Sequence, residues 1–289
     1  MKSDEITIKK SLRDKLTIMI CTIIVLCFTF AFLYPILYVI VSSFSVTNSF
    51  EFSLKNFSLN GYIALLKEPT LIQGFLNSIL YTSVGTLISV SLTVLVAYVL
   101  SQPYFRSAKI FAMFFTFTIY FGGGMIPTFL VIKKLGLLNT MWSLILPSCM
   151  SVYNIYLLRA HFMNKIPIEL QRAALLDGCG HWRYLLKVVL PISSTFLSVI
   201  AFYYIVSYWN SYFTAMIYIS DFDKLPLASV LNNLLIKNQD VGLSNLSGAT
   251  IQERQLMEYA AIVFSSAPIS TICSVSCATR EASFNISSR

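Results

Sequence analysis

The sequence predicts an all-α integral membrane fold, five plain spans and an atypical sixth. Three observations carry this: the chain is too apolar for a soluble domain, its apolar residues form runs of membrane-crossing length, and its charges collect between those runs. Of 289 residues, 56% are hydrophobic and 12% charged, and the mean hydropathy is +0.71, outside the range of soluble domains. A net charge of +8 would suggest nucleic acid in a soluble protein. Here the cations flank apolar runs, where they set orientation, and no nucleic-acid partner is expected.

A spanning helix needs about 20 mostly apolar residues. Residues 16–41, 75–100, 110–132, 141–158 and 188–208 supply them. A sixth run, 256–278, is interrupted by Ser265, Ser266, Ser270, Thr271, Ser274 and Ser276. The first run is too long for the apolar part of a signal peptide and has no small-residue cleavage site after it, so it is read as retained.

Orientation follows from the lysines and arginines of the connecting segments. Segments on the N-terminal side of the bilayer carry fourteen: Lys2, Lys9, Lys10, Arg13, Lys15, Arg106, Lys109, Arg159, Lys165, Arg172, Arg183, Lys187, Arg280 and Arg289. The opposite side carries seven: Lys55, Lys67, Lys133, Lys134, Lys224, Lys237 and Arg254. The N-terminal segment 1–15 and the charged loop 159–187 are therefore expected in the cytoplasm. Residues 46–72 and 210–255 are expected outside, the latter folding back as a short helix around 227–236.

None of the five runs holds Asp, Glu, Lys, Arg or His away from its ends. A carboxylate relay for ion-coupled transport is thus not expected, and any energy must come from outside this chain. The third run contains Gly122, Gly123, Gly124 and Pro127. These suit either an unwound gate near the midplane or close helix packing through small residues. The six cysteines show neither zinc spacing nor a disulfide framework and read as small apolar filler.

The most informative stretch is PIELQRAALLDGCGHWRYLLKVVLP, from Pro167 to Pro191. Asn164 suits a cap, Pro167 a first helical position and Gly178 a C-terminal stop, which gives a helix of about three turns over 167–177. Ile168, Ala173, Ala174 and Leu175 offer an apolar strip, whereas Glu169, Gln171 and Arg172 are expected to be solvated or to meet a partner. Beyond Gly178, Cys179 and Gly180, helical period resumes through Trp182, Leu185, Leu186 and Val189. The expected shape is two helices joined at a glycine corner, with the Asp177 carboxylate accepting from the free amides of the second. Such a loop is built to dock onto something.

With Arg172, Ala173, Ala174, Gly178, Val188, Leu190 and Pro191 at the places of the E-A-A, G and I-x-L-P signature, the loop resembles that of inner-membrane permease subunits of binding-protein-dependent ABC importers. Asp177 matches the sugar-transporting branch. Arg172 departs from the usual glutamate. GGGMIPTFLVIKKLGLLNTMWSLILP at 122–147, YWNSYFTAMIYI at 208–219 and LYPILYVIVSSFS at the end of the first run are similar to the carbohydrate-uptake branch, and the resemblance covers residues 10–264.

The resemblance implies a six-span MetI-like permease core over 16–264, in a bacterial cell membrane, importing a sugar of oligosaccharide or polysaccharide-fragment size. It implies that Glu169, Arg172, Ala173, Ala174, Asp177, Gly178, Leu190 and Pro191 form the loop that couples to ATPase subunits. Its partners would be a second permease, two ATPase subunits and an extracellular solute-binding (lipo)protein. ATP would be used by the partners: this chain has no Gly-rich phosphate loop, and no bound cofactor, metal or catalytic residue is expected in it. ATP binding would close the ATPase pair and turn the spans from inward-open to outward-open, each state favoured by its own ligands.

For solute contact, aromatic faces and amides suit sugar rings. Tyr120, Trp142, Tyr153, Asn154, Tyr208, Trp209 and Asn210 are candidates, although interfacial anchoring explains most of them; the path is placed at Gly122, Gly123, Gly124, Pro127, Tyr208, Trp209 and Asn210. Residues 265–289 depart from the family's apolar last helix and basic tail, with the Ser, Thr and Cys enrichment that a shifted reading frame produces. Two rival readings are an importer of the same architecture for a non-sugar solute and a membrane scaffold or sensor without transport.

Overall fold

The computed structural model describes residues 12–44, 60–240, 256, 258–268, 270 and 271. Among the described residues there are helices and no strands. The chain divides into two units, 1–64 with 246–263, and 65–245 with 264–289.

The first unit is led by α1 (Leu12–Ser42), 30 residues of which are apolar enough to cross a membrane. Its side chains lie exposed along nearly the whole helix, a surface that lipid tails satisfy and water would not. Thr17, Thr22 and Thr29 turn their hydroxyls back onto the carbonyls of Arg13, Ile18 and Val25 at 2.8–3.0 Å, so no polar head is left facing hydrocarbon. At the end of α1, the Ser43 Oγ reaches the Ile40 carbonyl at 2.7 Å and the Tyr62 hydroxyl at 2.9 Å. Tyr62 belongs to α2 (Asn60–Lys67).

The second unit is organised on α3 (Pro69–Ser101), a 33-residue unbroken helix. Its buried face runs through Gly74, Ser78, Gly85, Ser89, Thr93 and Ala97. Small and hydroxyl-bearing residues at helical spacing are what lets helix backbones approach where no hydrophobic force separates protein from lipid. Around α3 are α4 (Ala108–Tyr120), α5 (Met125–Lys134), α6 (Trp142–Ser148) and α7 (Val152–Lys165). Then come the charged loop with α8 (Ile168–Leu176), α9 (His181–Tyr184), a π turn (Leu185–Val189) and α10 (Leu190–Ile192). The chain continues as α11 (Ser194–Trp209), α12 (Tyr212–Tyr218) and α13 (Leu227–Asp240).

Three of the five expected single spans are broken. The 110–132 run is split into α4 and α5, which meet at 112°; Gly124, with φ +81°, turns the chain where other residues would be strained. The 141–158 run is split into α6 and α7, because Ser151 caps α7 by accepting from the Asn154 amide while its own amide donates to the Tyr204 hydroxyl at 3.1 Å. The 188–208 run bends by 84° at Ser193, which leaves helical geometry at φ −97°, ψ 8°. Two helices are thus long and apolar enough to cross alone, or up to four if each sharply bent pair counts as one. The doubtful sixth run is helical at its described positions within 256–271. The remainder of the divergent tail, 272–289, lies outside the described residues, and with it most of the segment on which the shifted-frame expectation rests.

Candidate functional site

The charged loop folds as a helix, a glycine corner and a second helix. Pro167, with φ −61° and ψ 140°, is the cap of α8, one place earlier than its expected first helical position; Asn164 belongs to the last turn of α7. α8 ends where Gly178 takes φ +70°, its amide reaching the Leu175 carbonyl at 3.1 Å and the Cys179 amide the Ala174 carbonyl at 2.9 Å. A left-handed glycine closing orphan carbonyls is the expected C-terminal stop. Gly180 then caps α9, its carbonyl accepting from the Tyr184 amide at 2.9 Å.

Asp177 does not play the part expected of it. It is the last residue of the α8 side, and among the described residues its carboxylate makes no hydrogen bond to the amides opening α9. Gly178, Cys179 and Gly180 stand between it and α9, and the Gly180 carbonyl begins the new helix. Glu169, Arg172, Ala173, Asp177, Gly178 and Pro191 are exposed, while Ala174 and Leu190 are half-buried.

Gln171 also departs from expectation: it is the one buried side chain of α8. Its Nε2 donates to the Gln102 Oε1 just past the end of α3. In the second helix, Leu185 and Val189 are 2% and 1% exposed whereas Trp182 and Leu186 are 68% and 60% exposed. Leu175 and Leu176 on α8 are exposed as well. Four large apolar side chains flanking the corner are thus exposed, and two of them, Leu175 and Trp182, line an open cleft with Tyr98, Val99, Tyr104 and Phe105. Burial pushes the Tyr184 hydroxyl above the ordinary tyrosine range. His161, stacked on Phe196 at 4.3 Å, is held below the usual imidazole range by burial and then by the Lys165 charge.

On the other expected site, Gly122, Gly123 and Gly124 form the link between α4 and α5. A Cβ added to Gly122 or Gly124 would meet nothing within 4 Å, and one at Gly123 would reach only Pro127, at 3.9 Å. Among the described residues the glycines form a break between α4 and α5 and pack against no other helix. Tyr208 and Trp209 are 4% and 6% exposed, and their polar atoms are already partnered. The Tyr208 hydroxyl accepts from Ser89 Oγ at 2.8 Å while donating to the Ile145 carbonyl at 3.3 Å. Trp209 Nε1 donates to the Ser265 carbonyl at 3.1 Å. Asn210 is exposed, its Nδ2 donating to the Val206 carbonyl at 2.9 Å. Tyr208 thus pins α11 to α3 and α6. Tyr120 and Tyr153 are exposed at 79% and 65%, Trp142 at 38%, and Asn154 is buried at 5%.

One feature of the far end carried no sequence signal strong enough to find. Asn139 adopts φ +61° and accepts with Oδ1 from the amides of Ser220 and Asp221 at 3.2 and 3.1 Å, while its Nδ2 donates to Asp221 Oδ2 at 3.2 Å. Asp221 pairs with Lys224 at 3.1 Å. Its carboxyl is held below the ordinary range by the Lys224 hydrogen bond, then by Asn139 and the Lys224 charge. The only cue in the sequence was that Asn tolerates the left-handed region.

No family model matches the chain. The polygalacturonan/rhamnogalacturonan transport system permease protein YtcP of Bacillus subtilis (strain 168) is 34% identical over 242 residues, 81% of this chain and 84% of YtcP. Protein LplC of the same organism is 34% identical over 244 residues, 81% of each chain. A solved chain of a bacterial ABC transporter involved in the import of the acidic polysaccharide alginate superposes with a TM-score of 0.82 at 28% identity, over 93% of this chain and 98% of that one.

Proposed function

We propose, from the premise that this chain belongs to the permease subunits of ABC importers, carbohydrate-uptake branch, that it forms one half of the membrane path for an oligosaccharide cut from a polysaccharide. The observation that carries the reading is the corner at Gly178, which joins the exposed Leu175 and Leu176 to the exposed Trp182 and Leu186. An apolar knuckle of this kind on a polytopic chain is a docking surface, and its seat is the cleft of an ATPase subunit. Glu169, Arg172, Ala173, Ala174, Asp177, Gly178, Leu190 and Pro191 belong to this coupling loop. A second permease, two ATPase subunits and an extracellular solute-binding lipoprotein complete the importer.

The path itself runs past the Gly122–Gly124 break, Pro127 and the exposed Asn210, with Tyr208 and Trp209 holding the wall behind them. Six crossings are counted by taking α1, α3, the α4–α5 pair, α6 with α7, the bent run ending in α11, and the helix within 256–271. The N-terminus is cytoplasmic on the fourteen-to-seven asymmetry of Lys and Arg. ATP is bound by the partners, and this chain contributes motion, not chemistry. The names of the relatives speak for sugars over other solutes, and for transport over a scaffold.

The test is to express the tagged subunit with candidate partners and identify what remains bound in mild detergent, for wild type and for Gly178→Val. A β-branched residue strongly resists φ +70°, so the variant should keep its spans and lose the ATPase. Recovery of the wild-type subunit with no ATPase would sink the reading.

A further inference from the structure

The back of the coupling helix is attached to the helical core in an unusual way. The one buried side chain of α8 is polar, Gln171, at 7% exposure. It is hydrogen-bonded, side chain to side chain, to Gln102, the residue that caps the end of α3. On either side of α8, Ile166, Tyr184, Leu185 and Val189 pack into the core with Val94, Ala97, Tyr98 and Leu100 of α3, and Ala174 and Cys179 join them as half-buried side chains. An open cleft of about 480 Å³, lined by both glutamines and by no charged residue, flanks the joint. Of α8 itself only Ala174 joins that core, so the amide pair is the helix's own directional contact with the end of α3. The pair is part-buried, and shielding of this kind strengthens a hydrogen bond and makes it directional.

What lies beyond Gln102 makes the contact consequential. A second bond, from Arg159 Nε to the Leu100 carbonyl at 3.0 Å, fixes the same end of α3 to α7. From there α3 is a continuous helix, and helices transmit displacement as rigid bodies. Two and three turns along, it is clamped to α11 by Thr93 with the Tyr204 hydroxyl at 2.7 Å and by Ser89 with the Tyr208 hydroxyl at 2.8 Å. The same α11 ends beside Asn210 on the proposed path. A push on α8 reaches α3 through Gln171 and reaches α11 through those two buried pairs.

We infer that Gln171 is a positioning residue: through Gln102 it passes the movement of the coupling helix to α3, and so links ATP use to transport without itself touching the ATPase. The inference rests on the coupling-loop reading above. It places the glutamine pair on the core side of α8, opposite the exposed Arg172 and Leu176 that face the partner.

The experiment uses the complete importer in proteoliposomes with its ATPase subunits, second permease and loaded binding protein. Gln171→Leu, Gln102→Leu, the double variant and the pair Gln171→Glu with Gln102→Lys are compared. Three readouts are taken: ATPase co-purification, ATP hydrolysis, and sugar imported per ATP hydrolysed. The expectation is unchanged co-purification and hydrolysis, with at least a tenfold fall in sugar per ATP for either leucine variant. The double variant should be no worse than the singles, because both remove one contact, and the ion pair should restore most of the yield. Wild-type yield in Gln171→Leu, strictly additive losses, or no recovery by the ion pair would each overturn the inference. If Gln171→Leu does not assemble, the ion-pair variant decides alone. Failure of the wild type to retain any ATPase would instead remove the coupling-loop reading, and this inference with it.

Discussion

Replacing Gly85 by alanine should destabilise the second unit through one identifiable collision. A Cβ at position 85 would lie 2.9 Å from Cε2 and Cζ of Tyr208 and 3.1 Å from its Cδ2, where ordinary carbon contacts begin at about 3.5 Å. The ring end of a free tyrosine would swing aside cheaply. This ring is fixed: it is 4% exposed, and its hydroxyl is held by Ser89 and by the Ile145 carbonyl. Overpacking of a fixed neighbour costs about 1–3 kcal/mol. If the ring yields, the Ser89 bond is lost as well, worth about 0.6 kcal/mol on average between membrane helices. The expected total is about 2–3 kcal/mol, or roughly a 30- to 150-fold rise in the unfolded fraction at about 1.4 kcal/mol per tenfold. Denaturation in mixed micelles, followed by tryptophan fluorescence, reads it. The control is Gly85→Ala in a Tyr208→Leu background, where the collision is absent and the added cost should drop below about 1 kcal/mol. Equal costs in the two backgrounds would refute the assignment of the strain to the tyrosine ring.

Asn139→Ala should cost about 2–3 kcal/mol, from three lost hydrogen bonds and a left-handed backbone, and Asn139→Gly about 1 kcal/mol less, since glycine keeps only the first loss; equal melting shifts would remove the backbone part. The folded-state pKa of Asp221 is depressed, so its contribution is present above the unfolded carboxyl pKa, about 3.9, and is lost as pH falls through the lower folded value. Acid titration of the melting temperature should therefore be flatter in Asp221→Asn, and identical profiles would exclude the Lys224 and Asn139 contacts as the cause. At Gly178 an added Cβ meets nothing within 4 Å, so Gly178→Ala should cost about 1–2 kcal/mol by backbone strain alone, with Gly178→Asn milder; a larger loss for Asn in thermal melts would mean that space, not φ, sets the requirement.

The glycine corner was legible in the sequence because its signals act locally. Proline before a helix and glycine after it constrain their own dihedral angles whatever surrounds them, and Gly178 takes the conformation its position foretold. The breaks at Ser151 and Ser193 are harder to read, because the flanking runs stay apolar enough to span, although Pro147 with Ser148 and Pro191 with Ser193, Ser194 and Thr195 stand close to them. What interrupts the helices is a serine hydroxyl, a tyrosine 53 residues distant from Ser151, and a change of direction that no hydropathy window registers. Gln171 was misplaced for a related reason: periodicity assigned it to the wet face, and its true partner, Gln102, is 69 residues away. In the sequence Tyr208 reads as an aromatic suited to sugars, yet the three-dimensional neighbours that occupy its hydroxyl lie on α3 and α6. Local signals predict local geometry, and the partners of buried polar groups are set by tertiary packing.

The π turn at Leu185–Val189 is an α-helix wound with one residue too many. Each α-helical residue advances the chain by about 100° around the axis. The corner carrying Trp182 and the membrane helix beyond Pro191 are therefore held in phase by a surplus residue, not by an ideal repeat. Deleting one residue from that stretch would leave an ordinary α-helical turn with both flanks close to their present phase, whereas forcing the same five residues into ideal α-helix would turn the knuckle about a quarter-circle away from the surface it has to meet.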